Sequence, residues 1–421
     1  MKLFRQLTIL FLFFFTTSLY SQDTTQHIIP NRSNTKKQQK KPYVILISAD
    51  GFRFDLADKY QATHLIALRN QGVQAEYMTP SYPSLTFPNH YSIVTGLYPS
   101  HHGLVDNSFY NPSKKSSYSI GNKNAVQDSS WYGGVPLWVL AEQNHLLSAS
   151  FYWVGSEAAI DGVRPTYYYN YNEKIDIDER IQIVKTWLQL PEDKRPHFIT
   201  FYLPEVDHAE HMYGVDSKET EEAVHFIDAS IAKMNSMVDS LHLSVNFIFV
   251  SDHGMANTDT LHTLPMPSAI DTSKFIVPNG DVLVHLYAKD TSDILPTYRK
   301  LKTEAKDFDV YLADSIPTEW HYSKADDKYN RIGDILLVPR FPKAFNFTKR
   351  KPIPGRHGYD NHLKEMRATF YAWGPAFKED TNISGFENVN IYPLIAKILK
   401  LKYSNDTDGD LKVLKPILKT R

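Results

Sequence analysis

Cysteine is absent from this chain of 421 residues. Its absence excludes disulfides, thiol nucleophiles and every zinc centre built on thiolate. An excess of one charge is lacking too, since 46 Lys and Arg stand against 47 Asp and Glu, a formal net charge of -1. That balance leaves no electrostatic footprint for a phosphate backbone, which argues against a general nucleic-acid binder while leaving small anions open as substrates. Glycine and proline are few, at 18 and 24, and hydrophobic residues make up 42%. Collagenous, low-complexity and disordered chains are thereby excluded. What is left is a folded globular protein in which any metal must rest on His, Asp and Glu, with 17 His to draw on.

The apolar run at the N-terminus, Leu7 to Phe15, is too short to span a bilayer, and Lys2 and Arg5 lie on its N-terminal side. It has the shape of a signal-peptide core. Residues 1–21 are therefore expected to be removed after Ser21, with Leu19 and Ser21 at the recognition positions, and the mature chain to be periplasmic or secreted with no stable membrane span. Residues 22–41 end in KKQQKK and read as a polar, solvated tail. Residues 404–421 read as a C-terminal tail, and Asn31, Asn346, Asn382 and Asn405 stand in Asn-X-Ser/Thr patterns that can accept glycans.

Between the tails, residues 42–403 carry strands alternating with helices. Tyr43 to Ala49, Phe198 to Leu203 and Val245 to Val250 are continuous apolar runs, the pattern of strands covered on both faces. Helical spacing is clearest from Glu221 to Leu241, where Val224, Ile227, Ile231, Met234, Val238 and Leu241 recur. Together these predict an α/β fold with a mainly parallel central sheet and helices on both faces. From about 274 to 347 the runs shorten and alternate, which reads as a small α+β insertion. Ala368 to Trp373 and the amphipathic stretch Ile391 to Leu399 then return to the core.

Each long strand ends on acid: Asp50 after the first, Glu205 and Asp207 after the second, Asp252 after the third. Ligands of such sheets bind beyond the carboxyl ends of the strands, so these ends should share one rim. A single Asp there more often caps a helix. Three of them, two with His nearby, point to a metal constellation. Asp207 and His211 are four residues apart and share a helix face, whereas His208 points about 100° away from Asp207 and belongs behind it. Asp252 and His253 are adjacent where a strand turns, and His357 lies in the glycine-flanked Gly355-Arg-His-Gly-Tyr-Asp-Asn361. Thr86 sits at a loop-to-helix junction, where amide donors and the helix dipole favour a phosphate or alkoxide. Taken alone, however, it reads as an N-cap.

Ser48-Ala-Asp-Gly51, Thr86-Phe-Pro-Asn-His90, His102-Gly103 with Asp106-Asn107, Trp153-Val-Gly-Ser-Glu157, Asp207-His-Ala-Glu-His211, Ser251-Asp-His-Gly254 and the His357 loop follow in order. This series resembles the nucleotide pyrophosphatase/phosphodiesterase family of the alkaline phosphatase superfamily, from about Pro42 to about Lys400, as a compact member with a single catalytic domain. The resemblance implies an alkaline-phosphatase-like fold and two zinc ions. Asp207, His211 and His357 would hold one; Asp50, Asp252 and His253 the other, with Thr86 as fourth ligand. It makes Thr86 the nucleophile of a phospho-threonine route to 5′-nucleotides and Asn107 a donor to a phosphoryl oxygen. Phe87, Tyr171 and Tyr202 match base-stacking positions, and Trp153 reads as a pocket wall or as core. The expected partner is a small phosphodiester; neither a protein nor a nucleic-acid partner is indicated. As a neutral donor, Asn107 favours a diester over a monoester, and Arg164 reads as a solvated loop charge. The alternative is a choline or lysophospholipid phosphodiesterase, or a phosphomonoesterase, on the same fold.

Overall fold

A computed structural model describes residues 24–404 and 406–420. The expected leader and Asn405 lie outside the described residues. The core is a sheet whose strands run, from one edge to the other, His27–Ile28, Tyr167–Tyr169, Ser148–Phe151, Phe198–Leu203, Tyr43–Ala49, Val245–Val250, Phe370–Trp373, Val73–Ala75 and Thr381–Ile383. Five of these eight pairings are parallel. The remaining three are antiparallel.

Side-chain alternation explains why the three central runs are apolar throughout. On Tyr43–Ala49, Val44 and Leu46 enter one core with Tyr91, Ile93 and Val94 of the helix Thr86–Thr95 and with Leu394 and Ile395 of Ile391–Ile398. Ile45, Ile47 and Ala49 enter the other core, against Val224, Ile227, Ile231, Met234 and Val238 of the helix Lys218–Ser240. Each such side chain contributes about 1.5–3 kcal/mol through burial. That helix begins three residues before the apolar pattern does, because Ser217 caps it by accepting from the Thr220 amide and its first turn is polar.

Strand register sets the site. Ser48 lies opposite Tyr202 on one side and Val250 on the other, and Ala49 lies opposite Leu203. The three strands therefore stop at one level, and the segments carrying Asp50, Asp207 and Asp252 leave the sheet together.

Within the expected insertion, Phe275–Ile276, Val284–Ala288, Ile335–Pro339 and Phe308–Leu312 form a separate antiparallel sheet backed by the helix Ile294–Glu304. Its Ile335–Pro339 strand faces two ways. Ile335 and Leu337 enter the small core, while Leu336 and Val338 enter a core of the large sheet.

Neither terminal segment is a free tail. His27–Ile28 pairs with Tyr167 and Tyr168 at the sheet edge. Buried Asn34 donates to the Glu192 and Arg195 carbonyls at 2.9 and 2.7 Å and accepts from the Leu147 amide at 2.8 Å. At the other end Leu414 and Ile417 are fully buried in the large core. The polar composition of 22–41 reads as solvated because its anchors are hydrogen bonds, which leave no apolar pattern. Asn34→Ala strands a buried amide and two carbonyls, so it is expected to lower stability by about 2 kcal/mol in urea denaturation. An unchanged midpoint would return the segment to the status of a loose tail.

Candidate active site

The three strand ends and the loop at 355–361 converge on one buried cluster. Asp50, Asp252 and His253 form one group of ligand atoms lying within 4.8 Å of one another, and Asp207, His253 and His357 form a second. His253 Nε2 is 3.4 Å from Asp50 Oδ1 and 3.0 Å from Asp252 Oδ2. Asp207 Oδ1 is 3.3 Å from His211 Nε2 and 3.6 Å from His357 Nε2. All six residues expected from the sequence are thus brought together. The grouping differs in one respect: His253 belongs to both groups, while His211 stands beside Asp207 outside the tighter set. The stacked rings of His253 and His357, 3.6 Å between centroids, produce that overlap.

Backbone geometry makes the approach possible. Gly51 has a φ of +71°, and a Cβ there would lie 3.0 Å from Asp207 Cα. At Gly355 a Cβ would come within 2.1 Å of the Glu210 carbonyl, so only glycine lets the 355–361 loop press against the helix Glu205–Tyr213. Backbone carbonyls orient the imidazoles. His211 Nδ1 donates to the Gly355 carbonyl at 2.8 Å, His253 Nδ1 to that of Gly254 at 2.9 Å and His357 Nδ1 to that of Ser84 at 3.0 Å. Since a carbonyl only accepts, each ring carries its proton on Nδ1 and turns the Nε2 lone pair into the cluster.

The charges do not balance within the protein. Burial, together with the Asp252 and Asp207 carboxylates, pushes Asp50 well above the usual carboxylate range. Burial acts the same way on Asp252, yet His253 and His90 hold it well below that range. Asp207 is likewise held low, by His211 and His357 against burial. Burial and the adjacent His253 drive His357 down to about 3, so its ring is neutral near pH 7. In addition, Asp50 Oδ1, Asp207 Oδ1 and Asp252 Oδ2 are buried with no hydrogen bond among the described residues. Buried carboxylate oxygens are rarely left so. Three carboxylates, each with one oxygen unpaired and facing imidazole Nε2 atoms, are a set suited to divalent cations that accept both nitrogen and oxygen.

Thr86 opens the helix Thr86–Thr95, and its Oγ1 lies 3.2 Å from His253 Nε2. The side-chain cap of an N-cap role is missing, since the capping position is Leu85. Asn89 ties the preceding loop down by donating to the Pro83 and Leu85 carbonyls, each at 2.9 Å. The Phe87 amide donates to Asn107 Oδ1 at 3.0 Å, and Asn107 Nδ2 has no partner among the described residues.

Beside the cluster lies a pocket of about 460 Å³, with Asp50, Thr86 and Asp207 at one end and Phe87, Trp153, Tyr171 and Tyr202 among its walls. Trp153 is both wall and core: it is 1% exposed, and its indole donates to the His90 carbonyl at 3.0 Å. Tyr202 adds a contact that its aromatic character did not announce, donating its hydroxyl to Asp50 Oδ2 at 2.6 Å. Tyr171 is pinned by its amide to Glu157 Oε1 at 2.9 Å and by its hydroxyl to Glu173 Oε1 at 2.7 Å. His208 lies on the pocket wall, outside both ligand groups, with Nδ1 3.7 Å from Glu173 Oε2. Arg164, read as a solvated loop charge, is half-buried and donates from Nε to the Glu157 carbonyl at 2.8 Å.

His90 is the residue that sequence reasoning passed over. Its Nδ1 lies 2.9 Å from the Thr86 carbonyl and 3.2 Å from Asp252 Oδ2, and its Nε2 2.9 Å from Ser48 Oγ. The signal was available, since His90 stands one helical turn after Thr86.

Comparison with known proteins gives a consistent picture. The family model described as type I phosphodiesterase / nucleotide pyrophosphatase matches residues 44–360. Venom phosphodiesterase 2 of Crotalus adamanteus is 35% identical over 389 residues, 88% of this chain and 47% of that protein. Human ectonucleotide pyrophosphatase/phosphodiesterase family member 1 is 35% identical over 390 residues, 89% of this chain and 42% of that one. The chain therefore spans about half the length of the curated relatives it matches. Murine ectonucleotide pyrophosphatase/phosphodiesterase 5 superposes with a TM-score of 0.84 at 27% identity, covering 90% of this chain and 100% of that structure. An inactive variant of the murine protein, solved in complex with AMP, superposes with a TM-score of 0.83 at 26% identity over the same shares.

If cations balance the cluster, dialysis against a strong chelator is expected to lower the melting temperature by several degrees, and re-addition of a divalent transition metal to restore it. A melting curve indifferent to both treatments would remove the metal reading.

Proposed function

Because the chain belongs to the type I phosphodiesterase / nucleotide pyrophosphatase family, we propose that it is an exported hydrolase of nucleotide phosphodiesters or pyrophosphates. In this reading it releases 5′-nucleotides through a phospho-threonine intermediate at Thr86, with two zinc ions as cofactors. The observation that carries the proposal is the position of Thr86. Its Oγ1 sits at a helix N-terminus, 3.2 Å from an imidazole of the carboxylate–histidine cluster and at the mouth of an aromatic pocket.

Asp207, His211 and His357 would hold one cation; Asp50, Asp252, His253 and Thr86 the other. Bound there, the cations would polarise the phosphoryl group and favour the ionised Thr86 hydroxyl, as metals do for bound water. The protein's own part is positioning and charge placement. Thr86 Oγ1 attacks phosphorus in line, forming the Oγ–P bond as the bond to the leaving oxygen breaks. The proton lost from Thr86 is balanced by one gained at the leaving oxygen. Water then adds to phosphorus and Thr86 departs as the alcohol. Asn107 Nδ2 donates to a non-bridging oxygen, and since Asn107 is neutral it suits a phosphorus bearing one negative charge, as in a diester. His90 keeps the first turn of the helix and the Asp252 carboxylate in fixed relation.

Base recognition falls to the pocket. Phe87 and Tyr171 offer stacking faces, and the polar pins on Tyr171 hold its ring in place. AMP in the solved complex of the murine relative supports a nucleotide as occupant.

The purified mature chain is expected to release AMP from ATP or a dinucleotide. Thr86→Ala should lower kcat by at least about 10³-fold, as loss of a nucleophile does, while elemental analysis still finds metal. Full turnover in that variant would sink the proposal, and faster cleavage of a phosphocholine ester or of p-nitrophenyl phosphate would redirect it to the alternative substrate classes. Phe87→Ala and Tyr171→Ala should each raise KM for nucleotide esters about tenfold to a hundredfold, since base stacking contributes about 1–3 kcal/mol. Cleavage of bis-p-nitrophenyl phosphate, which has no base, should change little in either variant.

A further inference from the structure

One buried polar pair outside the metal cluster joins the inserted sheet to the site. His285, 2% exposed on the strand Val284–Ala288, places Nε2 3.2 Å from Oδ2 of Asp106, itself 6% exposed. Its other nitrogen, Nδ1, donates to the Ile332 carbonyl at 2.5 Å. Both ring nitrogens thus face oxygen atoms, which holds the ring between Asp106 and the Ile332 carbonyl. The second oxygen of Asp106 accepts from the Ser108 amide at 2.9 Å, which curls the chain around the intervening Asn107. Just before this turn, the Tyr322 hydroxyl, also from the insertion, donates to the Val105 carbonyl at 2.5 Å. Within the turn, Asn107 Oδ1 receives the Phe87 amide at 3.0 Å, and Nδ2 has no partner among the described residues.

We propose that His285 is a positioning residue for the reaction: through Asp106 it fixes the turn that aims Asn107 Nδ2 at the phosphoryl oxygen. The proposal rests on the role given to Asn107 above. A buried polar pair is weak as a stabilising device, because well-packed apolar side chains of similar volume serve as well or better. A fixed direction for the neighbouring amide is what an apolar pair would not give. The insertion thereby reaches the reacting centre without lining it, since His285 is not among the pocket-wall residues.

The test is a double-mutant cycle between His285→Gln and Asn107→Ala, read on a nucleotide p-nitrophenyl ester with the metal-loaded enzyme, alongside melting temperature. Asn107→Ala is expected to lower kcat by about 10²-fold to 10³-fold, the usual loss for one donor to a developing charge. His285→Gln is expected to lower kcat by about tenfold to a hundredfold, the scale of a 1 Å misplacement, with KM changed less than about threefold. In the Asn107→Ala background, His285→Gln should then change kcat by less than about twofold. Asp106→Asn, which keeps the size of the side chain, should reproduce the kcat loss should His285→Gln fail to fold. A merely structural pair would lower the melting temperature and leave kcat of the folded enzyme intact; that result, or full additivity in the cycle, overturns the proposal. If Asn107→Ala alone keeps wild-type kcat, the role of Asn107 falls first and the proposal with it, a result distinct from additivity.

Discussion

Three carboxylates buried side by side are the constraint on which the rest of this structure depends. Parallel strands in register end at a common level, so acid at the end of each must meet acid from the next. Mutual repulsion and burial oppose ionisation together, and the shifts show it: Asp50 is forced up while Asp252 and Asp207 are held down only by imidazoles. Those imidazoles are themselves committed, their Nδ1 protons tied to backbone carbonyls. The cluster is therefore built to face positive charge from outside the polypeptide. In the function proposed above, cations bound there would let a chain with a net charge of -1 attract phosphate locally, without a basic surface.

Around that centre the supporting contacts divide by job. Glycine at 51 and 355 removes the steric bulk that would hold the Asp207 helix away. Tyr202 and His90 join the cluster to its two neighbours, the aromatic pocket and the first turn of the Thr86 helix. The pocket is in turn stiffened by carboxylates on its wall, Glu157 and Glu173, that hold Tyr171 at both its amide and its hydroxyl. Preorganisation of this kind lowers the ordering that binding must impose.

Much of this was legible in the chain itself, for definable reasons. The central strands showed because burial on both faces leaves unbroken apolar runs, and their acidic ends marked the rim. The six Asp and His residues showed through ordered motifs. Other features left no comparable trace. Asn34 anchors the N-terminal segment by three hydrogen bonds to backbone, a device with no periodicity. The sharing of His253 between two groups depends on ring stacking against a residue 104 positions away, at 357, and no spacing rule reaches so far. Tyr202 was legible as an aromatic wall, but its hydroxyl bond to Asp50 follows from strand register, which pairs Tyr202 with Ser48.

The strand Ile335–Pro339 has a consequence for how the molecule comes apart. Its odd and even side chains enter different cores, so the smaller sheet cannot separate without withdrawing Leu336 and Val338 from the larger one. Local opening is least costly where few apolar contacts are broken, and here the seam between the two sheets is itself apolar. Opening the smaller sheet therefore costs apolar contacts in the larger one as well.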